Sequence, residues 1–392
     1  LEHKQIENFF FNGKNYGSLA KNILINNYTV SDPKLIKNYK FLWKQHLTNL
    51  LFLSEAYSNV INKVKPDRVI SNESFYGMWN VLMNICEKKI IPFYNHFFIN
   101  KKRVCFNLNQ PAMLQNFRKS FTSFTIRKKH KKNLSPLVKN WLKGNRNYNL
   151  DILSQNNKVN NFFNADYKKD TVILAANLIW DLAALDKQLF FKNMSDWIVS
   201  TVKWFSSKKN SQLIIRAHPL ETSHKLPTTI ETVKSILIRN KLFPLPENII
   251  FIDHDNKILF DNLYNLFKPK AILVYTSTVG FECVAKYGSK VITTGNAHYR
   301  EMGFTSDPKN KIEYFKEIIK SLKHEMDNIE NSDKKNLALN FVEFNQFHYA
   351  INVDIFRKQT FDIDPYKFEK FEKKLNHSAF GYVIRCIKEG SE

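Results

Sequence analysis

Four short groups of this chain combine chemically useful side chains with a position directly behind an apolar run: Asp181, His218 with Glu221, Asp253 with His254, and Ser277 with Thr278. The runs before them, Thr171–Ala176, Gln212–Arg216, Asn248–Ile252 and Ala271–Tyr275, read as buried parallel strands. Parallel strands present their carboxyl ends at one edge of a sheet, so groups far apart in sequence converge there. A carboxylate, an imidazole and a hydroxyl-rich helix start are a set suited to a phosphate-bearing ligand. Each also has an ordinary structural role. Asp181 can cap a turn before Leu182–Leu185, His218-Pro219 can simply fix a turn, and Thr276, Ser277 and Thr278 are common helix caps.

The elements that must position these groups are legible around them. Ala271–Gly303 reads as strand, helix and strand: an apolar run to Tyr275, a helix over Val279–Tyr287, Gly288 at its left-handed end, then Val291–Thr294 and Gly295. Helices are also expected over Phe190–Phe205, Thr229–Arg239 and Ile258–Phe267. The resulting βαβαβαβαβ order predicts a doubly wound α/β domain. Upstream, Phe41–Ile61 has helical periodicity, and Val64–Ile70, Met78–Lys88 and Ile90–Tyr94 read as turn and strand, helix, and strand. Asn72 and Glu73 then stand at a strand's carboxyl end, as candidate site residues or as polar residues near a helix start. Residues 1–50 and 100–165 show little pattern. Asn133–Asp166 reads as helix and linker, Lys334–Arg357 and Tyr366–Lys388 as helices. The expected division is an N-terminal Rossmann-like domain over 1–165, a second over 166–330, and C-terminal helices over 331–392.

With 392 residues, 43% of them hydrophobic and 33 of them Phe, the chain can build two cores. Lys+Arg 59 against Asp+Glu 36 gives a net charge of +23, with one dense run at Arg127–Lys132. Such a balance suits nucleic acid, an anionic membrane surface or a polyanionic substrate; no nucleic-acid-binding motif accompanies it, so nucleic acid is the weaker partner. The four cysteines form no CxxC pair, which fits a reducing, cytoplasmic setting. No apolar run is long enough to span a bilayer, and no signal peptide is visible. The chain begins at Leu1 without Met, as a trimmed start would. GxGxxG, GxxxxGK[ST] and HExxH are all missing, so neither an NAD cofactor, a P-loop nor a metal is expected.

Five segments in order, Leu178-Ile-Trp-Asp-Leu-Ala183, Met194-Ser-Asp-Trp-Ile198, Ile215-Arg-Ala-His-Pro-Leu-Glu221, Tyr275-Thr-Ser-Thr-Val-Gly-Phe-Glu282 and Tyr299 with Gly303-Phe-Thr305, resemble the bacterial capsule polysaccharide biosynthesis proteins, including the retaining β-Kdo glycosyltransferases. Lys65-Pro-Asp67 and Asn72-Glu73 match more loosely. The resemblance implies a GT-B architecture, with two Rossmann-like domains facing a cleft and the C-terminal helices packing back on the first. It implies a nucleotide-sugar donor on the second domain, held by His218 and the Ser277–Thr278 helix start; Arg216, Pro219, Gly280 and Glu282 are further donor-site candidates by position, and no metal or other cofactor is expected. Asp181 matches the nucleophile of the β-Kdo enzymes, for which double displacement needs a carboxylate opposite the leaving phosphate. Glu73 is the positional candidate for acid/base, and Asn72, Tyr299 and Arg300 for acceptor contact or a lid. The implied reaction moves Kdo or a related ulosonic acid from a CMP donor to a glycan or glycolipid, at the inner face of the membrane. A UDP- or GDP-hexose transferase, a sialyltransferase-like enzyme, and a non-catalytic export scaffold remain open beside it.

Overall fold

The computed structural model describes residues 2–100, 103–109, 118–128, 135–143, 166–181, 185–222, 228–256, 258–323, 328–353, 355, 363–374 and 379–389. In chain order the first half carries α1 (His3–Glu7), β1 (Phe10–Phe11), β2 (Lys14–Asn15), α2 (Tyr16–Tyr28), α3 (Tyr39–Val64), β3 (Val69–Ser71), α4 (Gly77–Lys88), β4 (Phe93–Asn100), β5 (Arg103–Leu108), α5 (Arg118–Lys128) and α6 (Pro136–Leu142). The second half carries β6 (Asp170–Ala175), α7 (Met194–Ser206), β7 (Ser211–Arg216), α8 (Val233–Arg239), β8 (Ile249–Ile252), α9 (Phe260–Phe267), β9 (Ala271–Val274), α10 (Val279–Tyr287), β10 (Val291–Thr293), α11 (Lys311–Leu322), α12 (Asn328–Glu343), β11 (Ile351–Asn352), α13 (Pro365–Glu372) and α14 (Ala379–Glu389).

Strands β6 to β10 form one wholly parallel sheet in the order β10-β9-β6-β7-β8. This is the doubly wound arrangement, in which the chain fills one side of β6 and then crosses to the other. Helices on both faces explain why β6 and β9 are apolar throughout: Val172, Ile173, Leu174, Ala271, Ile272, Leu273 and Val274 are all fully buried. Each buried Val, Ile or Leu contributes about 1.5–3 kcal/mol. The helices start later than periodicity suggests. Phe190–Asn193 is not helical, because the Asn193 side chain accepts the Asp196 N–H at 2.9 Å and fixes the start of α7 at Met194. Phe190 and Phe191 pack instead on Tyr314. Thr232 likewise caps α8 at Val233 rather than Thr229.

The N-terminal unit is smaller. Its βαβ portion is as expected, with β3 parallel to β4 around α4, but β5 returns antiparallel to β4 and β11 adds antiparallel to β5. Strand β5 and helices α5 and α6 lie in the stretch that shows little pattern in sequence. Arg127 and Lys128 of the basic run end α5; Lys129–Lys132 lie outside the described residues. Helix α3 buries Trp43, Leu47, Leu50, Ser54 and Ile61, a stripe at near-helical spacing.

The C-terminal segment departs from the two long helices expected. The helix expected to run on to Arg357 ends at Glu343; a π-helical turn, Phe344–His348, leads into β11. Arg103 makes this possible by donating to the carbonyls of Phe347 and Ala350 at 3.1 and 3.2 Å. Helix α12 packs on α10, while β11 and α14 return to the first sheet. There Arg68 donates to the Ile387 carbonyl and the Tyr94 hydroxyl to that of Cys386. All four cysteines are buried.

The end of α2 fastens the first unit to the second. Thr29 adopts a left-handed conformation, φ +50°, which is unusual for a β-branched residue. Its hydroxyl donates to the Thr228 carbonyl at 3.0 Å and accepts the Ile230 N–H at 2.8 Å, and its carbonyl accepts the Glu231 N–H. Phe75, after β3, and Ile25 join the same apolar cluster as Leu178, Ile179 and Trp180. Thr29→Val keeps the shape but strands two part-buried backbone groups. Urea unfolding should show a loss of about 1–3 kcal/mol; an unchanged midpoint would refute this account of the junction.

Candidate functional site

The switch point of the parallel sheet lies between β6 and β9, the place where ligands settle in open α/β sheets. Two strand-end segments meet across it, the Thr276 N–H donating to Asn177 Oδ1 at 3.3 Å. Strand β7 borders β6 on the far side, so the loops bearing Asp181, His218 and Ser277 emerge from three adjacent strands, β6, β7 and β9. Strands are roughly 4.8 Å apart, which puts the two outer ones about 10 Å from each other, the scale of a sugar-phosphate.

Asp181 sits half-buried in a turn, its N–H on the Leu178 carbonyl and its own carbonyl accepting the Leu185 N–H. It lies two residues past Ile179 and close to where Asn26 of α2 donates to the Trp180 carbonyl; Leu182–Ala184, before which it is expected to cap a turn, lie outside the described residues. His218 has a defined tautomer. Its Nδ1 accepts the Leu220 N–H at 3.2 Å, so the ring proton resides on Nε2 and is available to a ligand. Burial, reinforced by the nearby Arg216 guanidinium, pushes its pKa down to about 4 and keeps it neutral near pH 7.

At the start of α10, Thr278 is exposed and makes no side-chain cap; Ser277 Oγ accepts the Val279 N–H at 3.4 Å. Gly288 ends the helix at φ +69°, as its position in sequence suggests. Gly280 is where Tyr299 presses closest: an added Cβ would stand 2.2 Å from the Tyr299 hydroxyl. That hydroxyl donates to the Ser277 carbonyl at 2.5 Å, so Tyr299 braces the helix start from beneath.

Several expected contacts are placed otherwise. Tyr299 is wholly buried and Arg300 nearly so, hence neither is a lid. Arg300 donates to Thr293 O and Oγ1 at 3.0 and 2.7 Å and to the Pro308 carbonyl, locking the loop after β10. Arg216 turns away from the crevice, onto the Ile258 carbonyl at 3.0 Å and the Phe260 ring, 5.7 Å from its centroid. Burial lowers its pKa to about 10. Glu282 is buried in the first turn of α10 rather than displayed to a ribose. Glu73 lies across the junction beside Phe75, and its Oε1 accepts the N–H groups of Ser74 and Phe75 at 2.7 and 2.8 Å. Asn72 is exposed and Pro219 half-buried.

Sequence reading passed over Lys187. Its segment pairs with the loop after β10: its carbonyl accepts the Asn296 N–H at 2.8 Å, and Gln188 bridges to Gly295. The side chain is only 3% exposed, and burial brings its pKa down to about 8 against the pull of Asp186. Nearby, the Tyr275 hydroxyl is buried without a hydrogen-bond partner, and Asn22 of α2 donates to Asp186. A lysine inside a run of apolar and amide residues reads as surface; only the fold turns it inward.

A family profile described as capsule polysaccharide biosynthesis protein matches residues 113–327. No curated protein matches the chain. Among solved structures it is similar to a putative UDP-N-acetylglucosamine 2-epimerase from Listeria monocytogenes, at 13% identity over 75% of this chain and 78% of that one, with a TM-score of 0.33. It is also similar to MnaA of S. aureus in complex with UDP, at 11% identity over 77% and 82%, with a TM-score of 0.33. The N-terminal domain of Candida albicans trehalose-6-phosphate phosphatase aligns at 11% identity over 85% and 78%, with a TM-score of 0.35. Among the described residues, no helix is long and apolar enough to cross a membrane.

The depressed pKa of His218 has a measurable sign. An unfolded chain takes up the proton near pH 6.5 and the folded one near 4, so the stability from keeping His218 neutral is complete above pH 6.5 and is lost as pH falls to 4. The difference in unfolding free energy between pH 7 and pH 4.5 should therefore be smaller in His218→Gln than in the wild type. Equal differences would contradict a buried, neutral His218.

Proposed function

The chain belongs to the capsule polysaccharide biosynthesis family, and on that premise we propose that it is a glycosyltransferase that takes a nucleotide-activated sugar, best read as CMP-Kdo or a related ulosonic acid, and builds a bacterial surface polysaccharide. The observation that carries this reading is the convergence of Asp181, neutral His218 and the Ser277–Thr278 helix start on three adjacent strand ends at the switch point.

The chemistry follows from those groups. The donor phosphate lies over the start of α10, where the helix dipole favours an anion. His218 donates its Nε2–H to a phosphate oxygen as charge builds on the leaving group. Lys187 supplies the buried positive charge that Arg216, turned into the protein body, does not; an ulosonic carboxylate or the phosphate satisfies it. A carboxylate oxygen of Asp181 attacks the anomeric carbon as the bond to phosphate breaks. The acceptor hydroxyl then displaces Asp181, and its proton passes to the Glu73 carboxylate oxygen not held by the Ser74 and Phe75 amides. The net charge of +23 suits a polyanionic product and an anionic membrane surface.

A thermal-shift panel of CMP, CMP-Kdo, UDP, GDP and their sugars tests donor class. A ligand at about 100 times its dissociation constant adds roughly 2.7 kcal/mol of stability. Stabilisation by CMP ligands alone is expected. Stabilisation by UDP or GDP instead would move the reading to a hexose transferase, and no shift with any nucleotide would favour a scaffold.

Asp181→Asn should abolish transfer while nucleotide affinity stays within about twofold, with a sugar adduct on wild-type Asp181 visible by intact-protein mass spectrometry. Undiminished transfer by the variant would remove Asp181 from the mechanism. Lys187→Ala should weaken binding of the CMP-sugar by roughly tenfold or more, the scale of a charge-assisted hydrogen bond; unaltered affinity in a folded variant would return Lys187 to a purely structural role.

A further inference from the structure

We propose that Glu221, Asp253 and His254 form a site for one divalent transition-metal cation at the β7–β8 side of the parallel sheet. The three residues come from the loops after two neighbouring strands, β7 and β8. One ligand atom from each lies within 4.8 Å of the others. His254 Nδ1 stands 2.7 Å from Asp253 Oδ1 and 3.8 Å from Glu221 Oε2. Bonds of about 2.0–2.2 Å to a common ion need ligand atoms roughly 3–4 Å apart, so small rotations of side chains close the site.

The second observation is that two of these atoms lack hydrogen-bond partners. Glu221 is 1% exposed; its Oε1 accepts the Val233 N–H at 3.1 Å, but its Oε2 has no hydrogen bond. His254 Nδ1 is buried in the same condition. Burying a carboxyl oxygen and a ring nitrogen with neither one hydrogen-bonded is costly unless another group satisfies them. Asp253 has its Oδ2 3.3 Å from Lys234 Nζ, which leaves Oδ1, already accepting the His254 N–H, turned to the cluster. Among the described residues, Lys234 is a cation within ion-pair range of Asp253.

Two carboxylates with one imidazole suit Zn²⁺ or Mn²⁺ better than the all-oxygen preference of Mg²⁺ or Ca²⁺. Sequence spacing offers no hint of the site, because 31 residues separate Glu221 from Asp253. A cation here would tie the loop after β8 to the loop that carries His218, three residues before Glu221. The site stands on its own geometry, whether or not the chain transfers sugars.

Chelator-treated full chain should be titrated with Zn²⁺ by calorimetry and with Mn²⁺ by loss of the free-ion paramagnetic resonance signal. One equivalent of at least one metal is expected to bind, with a raised melting temperature. Glu221→Gln, which retains the bond to Val233, and His254→Ala, at a half-buried position, should each weaken binding at least tenfold while near-ultraviolet circular dichroism is kept. Asp253→Asn provides a third variant should either of these fail to fold. Failure of the wild type to bind either metal at millimolar concentration would overturn the proposal. So would folded variants that bind as well as the wild type.

Discussion

Parallel pairing of β6 with both β7 and β9 is the constraint on which the rest of the structure depends. A parallel ladder aligns every strand in one direction, so every carboxyl end faces the same edge and every connection must return over a face. Those returns are α7 to α10, and they are what make the sheet apolar on both sides. Crossing from β8 back to β9 opens the switch point beside β6. The same crossing puts the Asp181, His218 and Ser277 loops side by side, although almost a hundred residues separate the first from the last.

Burial sets the electrostatics at that edge. His218 stays neutral because charging it inside the protein, beside Arg216, is unfavourable, and this makes it a hydrogen-bond donor of fixed tautomer rather than a cation. Lys187 is held almost without solvent, and burial lowers its pKa against the pull of Asp186. Glu221 is the mirror case, a buried acid with a carboxylate neighbour. In each instance the sheet and its helices exclude water, and the side chain then answers to whichever group the fold places beside it.

The first unit contributes by its position. Helix α2 ends in the strained Thr29 and reaches Asp186, Trp180 and the Thr228–Glu231 segment, while Phe75 enters the apolar cluster beneath the β6 loop. Glu73 is thereby brought to the far side of the junction from Asp181. The return of β11 and α14 to the first sheet ties the C-terminal segment to the same unit.

Strong apolar runs made the five parallel strands, the α10 helix and its Gly288 terminus legible from composition alone, since buried strands and left-handed helix ends have local signatures. The groups at the strand ends were legible for the same reason, and so was the family. Helix starts were less so: Asn193 and Thr232 override apolar periodicity by capping, a local competition that hydrophobic spacing does not register. The π-helical turn and β11 depend on partners more than two hundred residues away, such as Phe347 with Arg103 and Ile351 with Val104. What only the tertiary structure decided is which polar side chains face the crevice. It turned Arg216, Glu282, Tyr299 and Arg300 into supports and brought Lys187 inward. It also gathered Glu221, Asp253 and His254, because orientation and burial follow from packing between elements and not from the order of residues along one of them.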